Sequence, residues 1–86
     1  MRIVTSKKFD KQFKKQTLRV KKQFRKRIEA FLSDMYDPSL NTHKLSGELQ
    51  DLWSFNVTGD IRVIFDKSPK DVVLFVAIGS HSELYG

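Results

Sequence analysis

The residues best suited to acid–base chemistry near neutral pH are the two histidines of this 86-residue chain, His43 and His81. An unperturbed imidazole has a pKa of about 6.5, so it can take or give a proton at physiological pH. His43 lies in a polar stretch, and His81 follows Gly79-Ser80 after the last apolar run. Neither lies in an apolar pattern typical of a core histidine. Both are therefore candidate site residues, with a solvated surface histidine as the alternative.

Three further side chains suit chemistry on a phosphate. Arg62 interrupts an apolar strand pattern, and its planar guanidinium matches two phosphate oxygens, unless it pairs with Asp60 or Asp66 instead. Asp60 adjoins that strand in a turn, where an aspartate also serves to bind local backbone. Tyr85 offers an aromatic face on which a base could stack. Alternatively, it makes a hydrophobic contact that holds the C-terminal tail against the rest of the protein. From pattern alone these alternatives stay open.

The composition excludes several classes of protein. With 40% hydrophobic and 12% aromatic residues the chain is too apolar for a disordered protein, and residues 1–86 make a single domain. It has no cysteine, which excludes disulfides and thiolate ligands, and we expect no metal and no cofactor. No apolar run reaches the length of a membrane span or a signal peptide. We therefore expect a cytoplasmic protein with no membrane partner.

Positive charge is concentrated in the first third of the chain. Residues 1–36 contain 12 Lys+Arg and 3 acids, whereas residues 37–86 contain 4 Lys+Arg and 7 acids, within a net charge of +6. A single lysine is usually just solvated. This density instead predicts a polyanionic partner, usually nucleic acid or an acidic protein segment.

The N-terminal half predicts a strand followed by two helices. Residues 2–5 form the strand, and Thr5-Ser6 offers a helix N-cap, after which Phe9 and Phe13 share one helical face. A break at residues 16–18 predicts a hairpin, although one continuous helix is the alternative. Asp37-Pro38 ends the second helix. Its apolar stripe has a 3.6-residue period through Val20, Phe24, Ile28, Phe31, Leu32 and Met35.

The C-terminal half predicts three strands after a polar loop at residues 39–47. Alternation and turn signals place the strands at 53–57, 61–65 and 72–78, and the last is apolar enough for an interior strand buried on both faces. Gly79 lets the chain leave that strand, and residues 80–86 form a tail. The predicted fold is α+β, in the order β-α-α-β-β-β, with the helical hairpin on one face of a small, mostly antiparallel sheet. The other face is the natural place for a site.

Four segments of this half resemble the RelE/ParE superfamily of type II toxin–antitoxin toxins, and most closely its YafQ branch. They are the H-x-L-x-G segment at 43–47, the tryptophan-containing strand at 52–57, the G-D-x-R-x-x-F strand at 59–65 and the G-S-H-x-E-L-Y tail at 79–85. Each motif is short. Their order and spacing, downstream of a basic helical hairpin, make the combination specific, and the resemblance covers essentially the whole chain.

The resemblance implies a RelE-like fold and a ribosome-dependent endoribonuclease that cleaves messenger RNA in the ribosomal A site. The 2′-hydroxyl attacks the adjacent phosphate, which requires a base, an acid and a cation for the developing charge. By position it implies His81 and Asp60 as the acid–base pair, His43 in support, Arg62 as charge stabiliser and Tyr85 in substrate contact or proton transfer. Which group is acid and which is base stays open.

The resemblance also implies partners. These are the 70S ribosome with its mRNA, a ribbon-helix-helix antitoxin of the RelB/DinJ kind, and operator DNA bound through that antitoxin. The basic helices would contact ribosomal RNA, in a phosphate-dominated interaction that weakens with salt. The RNA- or ribosome-binding residues predicted in this way are Lys14, Lys15, Arg19, Lys21, Lys22, Arg25, Lys26 and Arg27.

The chain departs from the YafQ pattern at three positions. Asn56 stands where that branch has another histidine, Ala77 where it has an arginine, and Ile61 where it has an aromatic residue. Two alternatives follow: a ParE-like toxin that inhibits DNA gyrase without cutting RNA, and a ribosome- or RNA-binding module with weak or no catalysis. The two histidines and Asp60 favour the nuclease, since a gyrase inhibitor does not need them.

Overall fold

The fold is a five-stranded mixed sheet with two helices on one face and a short helix at the end of the chain. The computed structural model describes residues 1–47 and 51–85. None of the helices in these two ranges has the length and apolar character needed to cross a membrane. The elements are β1 Arg2–Thr5, α1 Lys7–Lys14, α2 Leu18–Ser33, β2 His43–Lys44, β3 Trp53–Asn56, β4 Ile61–Asp66, β5 Val72–Ser80 and α3 His81–Tyr85.

The sheet has the strand order β1-β5-β4-β3-β2, in which only β1 and β5 are parallel neighbours. The predicted α+β class and the antiparallel β3–β4–β5 meander are confirmed. The prediction of a plain loop at 39–47 is wrong, because His43–Lys44 forms β2 by pairing with Trp53 and Ser54. Two residues are too short a strand to leave an alternating pattern in the sequence.

Each helix begins at a hydroxyl side chain that accepts a backbone hydrogen bond. Ser6, rather than Thr5, caps α1, and Thr17 caps α2, so the hairpin prediction is confirmed. The prediction that α2 continues to Asp37-Pro38 is wrong, because it ends at Ser33. The Asp34 carboxylate accepts from Tyr36 N at 3.0 Å, and such a local turn competes with helix. Leu32, placed on the apolar stripe from the sequence, is exposed.

Helices α1 and α2 cover one face of the sheet with a core made largely of phenylalanine. Phe9 and Phe31 reach from the helices to Phe55, Phe65 and Phe75 on the strands, and all five are 3% exposed or less. Strand β5 is interior as predicted, between β1 and β4. Its burial is less even than predicted, since Leu74 and Val76 on it are only half-buried.

Side chains of α1 satisfy the backbone of β5 beyond the point where β1 ends. Ser6 Oγ donates to the Val76 carbonyl at 2.7 Å, and Gln12 Oε1 accepts from Ile78 N at 2.9 Å. Ile78 is 1% exposed, so the Gln12 amide replaces a strand partner for a buried N–H. This bond fixes the segment of β5 that leads directly into α3.

Replacing Gln12 with alanine should therefore lower the free energy of unfolding by about 1–2 kcal/mol, because it leaves the buried Ile78 N–H without an acceptor. Urea denaturation of both proteins measures the change. The matched control is Lys11→Ala, an exposed neighbour on α1, expected within about 0.5 kcal/mol of the unsubstituted protein. Equal stability of the Gln12 and Lys11 variants would contradict this role.

Candidate active site

A pocket of about 210 Å³ opens on the sheet face that α1 and α2 leave uncovered. The register places His43 beside Ser54, Asn56 beside Arg62, and Arg62 beside Gly79, so these positions share one face. Val63 and Phe65 point the other way, into the core. The pocket is lined by His43, Leu45, Ser46, Arg62, His81 and Tyr85. The structure thus brings together four of the five predicted catalytic residues.

Arg62 is a half-buried cation with unsatisfied hydrogen-bonding capacity. Its Nε is buried and has no hydrogen-bond partner among the described residues, and the same holds for the hydroxyl of Tyr85. Neither aspartate considered as its partner takes up this donor, since Asp66 accepts from Ser68 N and Asp60 does not line the pocket. Unpaired buried donors are costly, so their presence in one pocket indicates a site for an anionic ligand.

His43 is held by the backbone of the turn before β2. Its Nδ1 lies 2.8 Å from the Asn41 carbonyl, and Asn41 itself adopts a left-handed conformation with φ of 49°. Because a carbonyl oxygen only accepts, Nδ1 carries the proton. In the neutral ring Nε2 is then the nitrogen free to accept a proton, which suits His43 to act as a base.

Helix α3 carries His81 and Tyr85 one turn apart, with ring centroids separated by 4.7 Å. The prediction that the chain leaves the strand at Gly79 is wrong, because β5 continues to Ser80. The predicted tail forms α3 at residues 81–85, and Gly86 lies outside the described residues. Glu83 Oε1 accepts from Ser80 N at 2.8 Å, while Ser80 Oγ accepts from Glu83 N at 3.3 Å. Hydrogen bonds to the Glu83 carboxylate from the backbone N–H of Ser80, first, and from the Ser80 side chain hold the pKa of that carboxyl below its usual value of 4.5.

Asp60 is the one predicted catalytic residue that does not line the pocket. It is exposed in the turn between β3 and β4, where Thr58 Oγ1 accepts from its backbone N–H at 3.2 Å. The next residue, Ile61, pairs with Ser80, so Asp60 lies at the same end of the sheet as α3. The structure therefore leaves Asp60 outside the group of His43, His81, Arg62 and Tyr85.

The predicted RNA-binding cations lie on the other side of the molecule. All eight belong to α2 or to the end of α1, on the sheet face opposite the pocket, and none lines it. Two of them have structural partners, since Lys21 Nζ donates to the Lys14 carbonyl and Arg27 Nε donates to the Val57 carbonyl. The remaining six are exposed: Lys14, Lys15, Arg19, Lys22, Arg25 and Lys26.

A family model described as "Bacterial toxin of type II toxin-antitoxin system, YafQ" matches residues 1–86. The chain belongs to the YafQ family. It is accordingly a toxin of the type II toxin–antitoxin class, as the four sequence motifs indicated. No curated protein matches the chain.

Solved structures with the same fold include members of this family. YafQ from E. coli strain BL21(DE3) superposes with a TM-score of 0.82 at 18% identity, over 100% of both chains. The E. coli DinJ–YafQ complex superposes with a TM-score of 0.72 at 19% identity, again over 100% of both chains. A YoeB/ParE toxin from Agrobacterium tumefaciens gives 0.78 at 14% identity, over 94% of this chain and 99% of that one. The RelE-like fold predicted from the sequence is confirmed.

Two departures from the YafQ pattern lie on the pocket's sheet face. Asn56, in place of a histidine, is paired with Arg62, and its Oδ1 is buried without a partner. Ala77, in place of an arginine, is paired with Ile64 and is 3% exposed. Among the described residues that line the pocket, Arg62 is therefore the only lysine or arginine.

Sequence reasoning missed two kinds of residue in this YafQ-type site. Leu45 and Ser46 line the pocket. Leu45 is part of the H-x-L-x-G motif but was not predicted as a site residue, and Ser46 is an unspecified position of that motif. Glu83 was passed over although Ser80-x-x-Glu83 has the spacing of a helix capping box, which would also have predicted α3.

Proposed function

We propose that this toxin is a ribosome-dependent endoribonuclease that cleaves messenger RNA in the ribosomal A site. The observation that carries the proposal is the pocket itself, which gathers His43, His81 and Tyr85 around Arg62. Two histidines, a phenol and a guanidinium whose Nε has no partner among the described residues are groups suited to transfer of a phosphodiester without a metal ion. The fold alone does not identify the activity, because a toxin described as YoeB/ParE has the same fold. The pocket therefore carries the argument.

The proposed reaction is an internal transesterification of RNA. A base removes the proton of the ribose 2′-hydroxyl, and that oxygen attacks the adjacent phosphorus. The P–O5′ bond breaks, and an acid gives a proton to the departing 5′-oxygen. The products are a 2′,3′-cyclic phosphate and a 5′-hydroxyl, so one proton leaves the 2′-oxygen, one reaches the 5′-oxygen, and no water is consumed.

The geometry favours His43 and His81 as the acid–base pair. His43 has Nε2 free to accept a proton, because Nδ1 donates to the Asn41 carbonyl. His81 lines the same pocket from α3, and its ring, when protonated, can give a proton to the leaving 5′-oxygen. Asp60, predicted from the sequence as a member of this pair, does not line the pocket, so we assign it no proton transfer. Arg62 and Tyr85 bind the phosphate oxygens, on which negative charge develops.

The position of the exposed cations supports a ribosomal partner rather than free RNA. They lie on α2 and at the end of α1, across the sheet from the pocket, in a molecule measuring 31 × 29 × 25 Å. A short RNA strand in the pocket cannot also contact α2. A ribosome is large enough to contact both faces at once, and its phosphates would bind the α2 cations. Ribosome dependence follows if this second contact supplies most of the affinity.

An antitoxin is the second proposed partner. The solved DinJ–YafQ complex pairs a relative of this chain with such a protein. The exposed cations of α2 suit an acidic segment, and an apolar groove of about 360 Å³ between β1 and the hairpin, lined in part by Phe13 and Phe24, suits its apolar residues. A ribbon-helix-helix antitoxin of the RelB/DinJ kind would then bind operator DNA for the pair.

Primer extension on a translated messenger tests the nuclease. We expect codon-phased cuts by the unsubstituted toxin with ribosomes present, none without them, and a rate at least about 10²-fold lower for His81→Ala because proton transfer is lost. His81 is exposed, so its replacement should leave the fold intact. An equal melting temperature for the two proteins is the control.

Growth arrest without any cut would contradict this function. In that case gyrase inhibition, or binding to the ribosome without cleavage, would explain the toxicity. Cuts that persist unchanged in His81→Ala would keep the nuclease and remove His81 from its mechanism.

A further inference from the structure

Helix α3 is too short to be stable by itself. It has five residues, of which His81, Ser82 and Glu83 are exposed, and it packs on β5. Isolated helices of this length do not persist in water, because nucleation is unfavourable. Two of the four predicted catalytic residues in the pocket, His81 and Tyr85, nevertheless depend on it for their position. Something beyond helix propensity must hold α3 in place.

The two reciprocal bonds between Ser80 and Glu83 provide one restraint. Glu83 Oε1 accepts from Ser80 N at 2.8 Å, and Ser80 Oγ accepts from Glu83 N at 3.3 Å. This is a complete capping box, and it lies at the last residue of β5. It therefore fixes the angle at which the chain turns from the strand into the helix.

Contact with Gly79 provides the second restraint. A Cβ at Gly79 would lie 3.3 Å from Glu83 Oε1 and 3.5 Å from Leu84 Cδ2, so α3 sits directly on the strand backbone. Gly79 is also the partner of Arg62 across β4 and β5. The Glu83 side chain thus touches the strand beside the arginine of the pocket while it caps the helix that carries His81 and Tyr85.

We propose that Glu83 is a positioning residue. Its carboxylate closes the bond to Ser80, seats α3 on Gly79 and thereby aims His81 and Tyr85 at a phosphate held by Arg62. Glu83 does not line the pocket, so we assign it no contact with the substrate. The consequence for catalysis rests on the proposed nuclease function, whereas the consequence for the geometry of α3 does not.

Two variants and two measurements test this role. Glu83→Ala removes both the acceptor and the contact with Gly79, and Glu83→Gln keeps an amide oxygen at the same length. Proton NMR reports the contact between the His81 and Tyr85 rings, whose centroids lie 4.7 Å apart. Ribosome-dependent cleavage gives kcat and KM separately. The matched control is Glu29→Ala, which removes an exposed glutamate from α2.

We expect Glu83→Ala to lose the ring contact and to lower kcat on the order of tenfold, with KM changed less than about twofold, because the α2 cations that bind the ribosome are untouched. Glu83→Gln should recover most of kcat, and Glu29→Ala should match the unsubstituted protein. Full kcat with the ring contact intact in Glu83→Ala would overturn the proposal. A parallel loss of kcat and melting temperature that glutamine does not rescue would also overturn it, as a structural effect.

Failure of the nuclease function would give a different result. If the unsubstituted toxin cuts no RNA, the NMR contact between the His81 and Tyr85 rings still tests whether Glu83 positions α3. Its loss in Glu83→Ala and return in Glu83→Gln would support the positioning of α3 by Glu83, while its persistence in both would overturn that role.

Discussion

Replacing Arg62 with methionine should abolish most of the cleavage activity and leave the protein at least as stable. An arginine that stabilises charge on a transferring phosphoryl group contributes about 10³-fold or more to the rate in enzymes that use one. No other lysine or arginine lines the pocket in the part of the chain that the structure describes, so none can take over. Single-turnover cleavage on programmed ribosomes measures the loss, which we expect on the order of 10³-fold.

The expected effect on stability has the opposite sign. In the part of the chain that the structure describes, Arg62 Nε is buried without a partner, and burial of an unsatisfied charged group costs free energy. An apolar side chain of similar length removes that cost, as replacements of buried charges often do. A gain of about 1 kcal/mol would raise the melting temperature by roughly 4–8 °C in a domain of this size. Calorimetry of the same protein samples measures it.

A loss of activity together with a gain of stability distinguishes an arginine that serves catalysis from one that serves the fold. Lys70→Ala, in the exposed turn before β5, is the control and should change neither quantity. If Arg62→Met loses activity and stability together, the guanidinium serves the fold. If it keeps full activity, Arg62 does not bind the phosphate and the pocket needs another explanation.

The parts of the fold with a repeating pattern were predictable from the sequence. The stripe from Val20 to Phe31 gave α2, and the alternation from Trp53 gave the meander, because one buried face imposes a period on the residues. Strand β2 and helix α3 have two and five residues, too few for a period to show. Their positions depend on partners elsewhere in the chain, namely Ser54 for β2 and Gly79 for α3.

The site was predictable by residue type but not by distance. His43, Arg62, His81 and Tyr85 were selected for their chemistry, and the sheet register brings them to one pocket. Asp60 was selected with them because it adjoins the strand in a turn and matches the acidic residue that precedes this strand in YafQ-type toxins. The alternation that sends strand side chains to one face of the sheet or the other does not extend into a turn. Asp60, in the turn before β4, lies outside the pocket. The side of the sheet on which the α2 cations lie also depends on tertiary packing, which one sequence does not encode as a pattern.

Replacing Phe75 with alanine should destabilise the protein more than any substitution on the surface. Its ring lies 5.6–6.4 Å from five of the other six phenylalanines, a range in which aromatic pairs are favourable. It is fully buried, and such a change costs about 3–5 kcal/mol from the lost burial and the cavity. Small domains have a free energy of unfolding of only about 5–15 kcal/mol, so urea denaturation should show a large loss of stability.

The matched control is Phe13→Ala, a half-buried ring on α1 that stacks on Phe9 at 5.8 Å. It should cost clearly less, because water already reaches that ring and the cavity left is open. An equal loss in both variants would contradict a core centred on Phe75. Strand β5 carries Phe75, Gly79 and Ser80 in one continuous run up to α3. The Phe75 variant should therefore lose activity in proportion to its unfolded fraction, while each molecule that remains folded cleaves at the normal rate.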